Sequence, residues 1–159
     1  MLIKPLHNIV ADFLFDGSIS AAIQKPGWAI ITATRESADP ADNIVNTGAN
    51  KRLRIFLQQS GIPFTTLEGY YAGVNQGMSF LVDMAQSDAL ELGRLLGQES
   101  ILTNIGLVYT DGTVHPALPE RNIHGPAATK QPFFSRVRAT GQAFSLGIDF
   151  NRRIKLSDL

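Results

Sequence analysis

The run Trp28-Ala-Ile-Ile-Thr-Ala-Thr-Arg35 constrains this chain more than any other stretch. It follows a Pro26-Gly27 break, stays apolar through Ile31, and turns polar at Thr32, Thr34 and Arg35. A short apolar run bounded by turn signals predicts a buried central strand. Polar groups at such a strand exit are where α/β proteins place their sites.

A helix is expected over about residues 43–60, with Asp42 as its N-cap, Gly61 just past its end and Pro63 beyond. Leu53, Phe56 and Leu57 give it an apolar stripe, and extending that stripe backwards passes through Asn50 and Asn46. Two asparagines therefore occupy the side that faces the sheet. A buried amide must find hydrogen bonds, so these two either satisfy backbone at the strand–helix junction or line a polar pocket there.

Further strands are expected at 62–67, 78–82, 99–104, 105–110 and about 113–118, with a second helix at 84–97 capped by Asp83 with Gln86, or by Ser87, and stopped at Gly97. Glu68–Gly77, with three glycines and Tyr70 and Tyr71, reads as a mobile hairpin loop, and Thr110-Asp-Gly-Thr113 as a hairpin turn. Residues 5–16 carry Leu6, Ile9, Val10, Phe13 and Leu14 at helical spacing, and 19–23 suit a brief strand. The order β-α-β-β-α-β-β predicts an α+β fold: one domain, with a mixed or mostly antiparallel sheet and two main helices on one face. Its core would span 19–118, followed by a loop at 119–135 containing three prolines. A basic C-terminal segment, 136–159, would supply one or two edge strands, with its last nine residues fraying.

Composition narrows the function classes. The chain has no cysteine, which excludes a disulfide scaffold, a thiolate metal site and a cysteine nucleophile. A cytoplasmic, reducing setting suits it. No apolar run approaches the roughly 20 residues of a membrane helix, and the N-terminal stretch, interrupted by Asp12, lacks a signal-peptide cleavage pattern. The formal charge is zero, yet residues 1–120 carry 7 basic against 12 acidic side chains, and 121–159 carry 7 against 2. A basic tail can mark a nucleic-acid footprint, but opposite halves of one chain also favour self-docking.

Four groups of residues can carry chemistry. At the strand exit, Thr34, Arg35, Asn46, Asn50 and Arg54 lie near a helix N-terminus, whose free N–H groups and partial positive charge suit an anion. Arg35 is equally able to pair with Glu36, Asp39 or Asp42. The second group is the glycine-punctuated loop, with Glu68 as a base at its start, Tyr70 and Tyr71 as stacking platforms and Ser79 at its exit. The third, Asp111, His115, Glu120 and His124, matches no metal-ligand spacing, so no metal is expected. The fourth interleaves Lys130, Arg136, Arg138, Arg152, Arg153 and Lys155 with Phe133, Phe134, Phe144 and Phe150, as single-strand binders do. No Gly-x-Ser-x-Gly elbow or phosphate loop occurs, and no cofactor is expected.

The series Ile31-Thr-Ala33, Asn46-x3-Asn50-x2-Leu53-x3-Leu57, Glu68-Gly69, Ser79-Phe-Leu-Val82 and Ala89-x2-Leu92-x4-Gly97-Gln98 resembles a family of small bacterial and phage proteins classed as a domain of unknown function (three-two-nine-three). The resemblance covers roughly residues 28–105. It implies no known reaction and supports only the fold boundaries and the polar pocket. The chain departs from the family pattern at Ala49, where relatives tend to carry arginine, and at Gly77-Met78, where they tend to carry an acidic residue. The expectation that follows is a small cytoplasmic binding or regulatory protein of phage or mobile-element type. It would recognise a protein partner or a small anionic ligand, away from any membrane, with homo-oligomers open to it. The rival is an enzyme acting on a nucleotide or other phosphorylated substrate, with Arg35 as clamp and Glu68 as base. Nucleic-acid binding through the tail is the less favoured third.

Overall fold

The computed structural model describes residues 27–34 and 42–159, apart from the side chains of 42–45, 120 and 121. The elements expected at 5–16 and 19–23, the loop before Asp42, and Arg35 itself lie outside the described residues. In chain order come β1 (Trp28–Ile31), α1 (Asp42–Gln59), β2 (Phe64–Tyr71), β3 (Val74–Asp83), α2 (Gln86–Leu95), β4 (Ser100–Thr103) and β5 (Gly106–Tyr109). Then follow β6 (Thr113–His124), α3 (Pro126–Thr129), β7 (Phe133–Val137), β8 (Ala143–Ile148) and β9 (Ile154–Lys155).

Neighbouring strands run in the order β5-β4-β1-β3-β2-β7-β8-β6, and β6 pairs back onto β5. Every pairing is antiparallel. The ring is closed. This overturns the expected α+β sheet with two main helices on one face: the fold is an eight-stranded antiparallel β-barrel, and its helices are additions to that wall. The chain order from β1 to the start of β6 follows the expected one; the error lies in what comes after.

Residues 119–135, expected to be loop, hold the second half of β6, α3 and the start of β7. The prolines misled because β6 accommodates two of them. Pro116 stands opposite Gly106, and Pro119 falls where the β6–β8 register slips between Ala117 and Asn122. A bulge tolerates a residue without an N–H. The 136–150 stretch likewise forms no edge, since β7 and β8 are wall strands between β2 and β6. Gly106 makes the closing seam, at φ +140°, where an added Cβ would stand 2.1 Å from the His115 carbonyl oxygen. Only glycine fits there.

Side chains alternate between two cores, as strand geometry requires. Trp28, Leu67, Leu81, Val137, Phe144, Leu146 and Ile148 form one buried cluster, which fills the barrel; an eight-stranded ring is just wide enough for side chains to do so. The intervening positions Ala29, Ile31, Phe80, Val82, Ile101 and Val108 join Leu53 and Leu57 of α1 and Ala89 of α2 in a second cluster outside the wall. The two long helices, α1 and α2, end as their glycines predict. Ile62 N–H reaches Leu57 O at 3.0 Å past Gly61, and Gln98 N–H reaches Gly93 O at 2.8 Å past Gly97. The N-terminus of α2 departs from expectation, since its N-cap is Ala85, with no side-chain cap.

The stretch Glu68–Gly77 is not a mobile loop either. β2 and β3 run through it and turn over Ala72-Gly73, both at positive φ (50° and 79°), as tight hairpins demand. Nor do the last residues fray freely. Ile154 pairs with Val114, Leu156 N–H reaches Gly112 O at 2.8 Å, and Arg153 bonds Asp111 at 3.0 Å while lying 3.8 Å over the Tyr109 ring.

Candidate functional site

Where β1 leaves the wall, the chain is held by a dense polar knot. Asn50, 3% exposed on α1, accepts the Ala33 N–H at 2.8 Å through Oδ1 and donates through Nδ2 to Thr34 Oγ1 at 2.8 Å. Thr32 Oγ1 donates to the Met78 carbonyl of β3 at 2.6 Å and accepts the Thr34 N–H at 3.0 Å. Gln98, just beyond α2, donates to the Thr34 carbonyl at 2.9 Å. Asn50 thus satisfies backbone at the strand–helix junction, and both ends of its amide are in use. Its role is to pin the strand exit, joining β1, β3 and the region after α2.

Beside this knot, α1 and α2 leave a groove of about 530 Å³, lined by Ala33, Asn46, Ala49, Arg52, Leu53, Phe56, Leu92, Leu95 and Leu96. Of the two asparagines, Asn46 is the one that faces this space. At its lips Phe56 is 47% exposed and Leu95 is 76% exposed, with Ile55 close behind on α1 at 49%. Arg52 is exposed and makes no ion pair among the described residues. The groove is apolar with a polar end.

The remaining expected site residues are dispersed. Arg54 leans on the Phe64 ring, 5.8 Å from its centroid, and its buried Nε has no partner among the described residues. Glu68 is bound to Arg138 at 3.5 Å. Tyr70 stacks on Phe134 at 4.8 Å, with Arg136 beside both rings. Tyr71 is exposed at the hairpin tip. Ser79 is buried on β3 opposite Leu67, within the wall. Thr34 and Asn50 meet as expected; Glu68 and the tyrosines belong to the β2–β7 side.

Sequence reasoning missed Arg52 and Leu95. The signal was available, because Asn46, Ala49, Leu53 and Phe56 recur at helical spacing and Arg52 shares their face. The same spacing fits Phe56 as a core residue, which hides the open face it shares with Arg52. A second omission is a pair on β6. Asn122 and His124 stand opposite Leu146 and Phe144, both members of the interior cluster, so they point into the barrel. Asn122 Oδ1 and both ring nitrogens of His124 are shielded from solvent and have no hydrogen-bond partner among the described residues. Burial lowers the His124 pKa from its ordinary value. Of the other residues weighed as metal ligands, Asp111 bonds Thr113 and Arg153, and His115 Nδ1 meets the Arg152 carbonyl. Among the described residues no three such side chains gather around one point.

No protein-family model and no curated protein matches this chain. Among the described residues no helix is long and apolar enough to cross a membrane.

Proposed function

We propose that this chain is a small cytoplasmic binding or regulatory protein that recognises a protein partner through the groove between α1 and α2. The observation that carries the reading is the exposed apolar rim, Phe56 and Leu95, around an otherwise formed apolar floor, with Arg52, which makes no ion pair among the described residues, at its edge. Large side chains left open along a groove mark interaction sites, and an amphipathic helix fits such a space by its apolar face. Arg52 and Lys51 then favour a partner segment with acidic flanks.

The volume also falls within the range of small-molecule pockets, so an amphipathic anion held by Arg52 is the second reading. The enzyme reading has less support, because Glu68 is tied to Arg138 rather than to the strand-exit cluster. Selection from a displayed library of helical peptides tests the proposal. Acidic amphipathic peptides should be enriched, and Leu95→Glu should abolish their binding while leaving the fold intact, since Leu95 is mostly exposed. Enrichment that is indifferent to Leu95→Glu, or no enrichment at all, would overturn it.

A further inference from the structure

We infer that the occupant of the groove is the helical face of a second copy of this chain, forming a two-fold dimer in which α1 of one protomer lies on α2 of its partner. This rests on the protein-recognition reading above and adds the identity of the partner. The argument is one of complementary patterns. The exposed side of α1 carries Lys51 and Arg52, followed one turn later by Ile55 and Phe56. The exposed side of α2 carries Asp88 and Glu91, followed by Leu95 one turn beyond Glu91. Residues three and four apart share a helix face. Each helix therefore presents charge and then an exposed apolar group, and the charges have opposite sign.

A two-fold axis makes any contact twice, with the same residues exchanged. Placing α1 against α2 sets Lys51 and Arg52 on the unpaired Asp88 at both contacts, with Glu91 already shared with Arg94, and encloses Ile55, Phe56 and Leu95 between them. Placing α1 against α1 would oppose four cations. Lys51, Arg52 and Asp88 make no ion pair among the described residues, so they are available. Arg94, the one cation of α2, is turned back onto its own protomer, bonded to Glu91 at 2.6 Å and to the Thr110 carbonyl at 3.0 Å. A foreign partner would have to reproduce a pattern this chain already carries.

Charge exchange tests the arrangement by sedimentation velocity. One variant combines Lys51→Glu with Arg52→Glu, and the other combines Asp88→Lys with Glu91→Lys; all four positions are exposed, and circular dichroism verifies folding. The wild type should show a concentration-dependent dimer. Each variant alone should dimerise roughly tenfold more weakly or worse, because like charges then meet at both contacts. An equimolar mixture of the two variants should restore the dimer. A wild type that stays monomeric, variants that dimerise like the wild type, or a mixture no better than its components would each overturn the inference. Peptide selection on the same protein separates this from the broader reading. A monomer whose groove still selects acidic peptides in a Leu95-dependent way loses the dimer and keeps protein recognition.

Discussion

Two asparagines, one buried on α1 and one half-buried inside the barrel, meet opposite fates. Asn50, under α1, uses both ends of its amide on the strand exit, bonding Ala33 and Thr34 at 2.8 Å each. Asn122, inside the barrel on β6, leaves Oδ1 without a partner among the described residues, and the neighbouring His124 leaves both ring nitrogens so. The residue type is the same; the surroundings differ. At the strand exit the wall opens, and free backbone groups stand within reach of a side chain. Within the barrel the backbone groups are spent on the strand ladder, and the neighbours Phe144 and Leu146 are apolar. A buried polar side chain stabilises where backbone needs it and costs free energy where nothing does. The helix-covered wall is therefore locked at its polar point, and the wall built by β6 and β8 is weak at its own.

The largest effect should come from removing the lock. Asn50→Ala orphans the Ala33 N–H and unties Thr34, at a cost of about 2–4 kcal/mol. Urea denaturation should show this as a lower midpoint with an unchanged slope. A loss no greater than that of an exposed substitution would mean that the knot does not hold the exit. The opposite sign is expected in the barrel. His124→Leu replaces two shielded, unpartnered nitrogens by carbon, and should raise stability by about 1 kcal/mol. A decrease as large as that of Asn50→Ala would show His124 to be satisfied after all, and would erase the contrast between the two walls.

That contrast also explains what was legible in the residues. The strand starting at Trp28, the helix over about 43–60, the Gly61 and Gly97 stops and the turn at Gly112 were all readable, because each is local, although the strand stops at Ile31 rather than running on to 34 and the helix takes in Asp42, expected as its cap. Asn50 was readable as a junction residue because helical spacing carries it onto the buried face. The barrel was not. The hairpin of β5 and β6 is local, but closure also needs β7 beside β2 and β8 beside β6, pairings between strands far apart in sequence or separated by another element. Pro119 reads as a breaker that ends the strand expected at 113–118, yet it lies in a bulge within β6. For the same reason Asn122 and His124 fell in an expected loop, where an orphaned polar group would simply meet water. Arg52 and Leu95 were missed by a different route, since exposure of Phe56 depends on how far apart the two helices sit, which no spacing within either helix records.

The smallest effect is the one that dissects the barrel pair most finely. Burial lowers the His124 pKa in the folded chain below its unfolded value, which is about 6.5. Above that pH both states hold the ring neutral, and His124 makes no pH-dependent contribution. As pH falls through about 6.5, the unfolded chain takes up a proton before the folded one does, so stability declines. The decline ends once pH passes below the folded pKa. Because the side chain is only half-buried, water screens the charge and the loss should be modest. Measured as a difference between wild type and His124→Leu from pH 8 to pH 5, the variant's advantage should widen on acidification. A constant difference across that range would mean that His124 titrates alike in both states, with its nitrogens open to water, and the weak point of the β6–β8 wall would then have to lie at Asn122 alone.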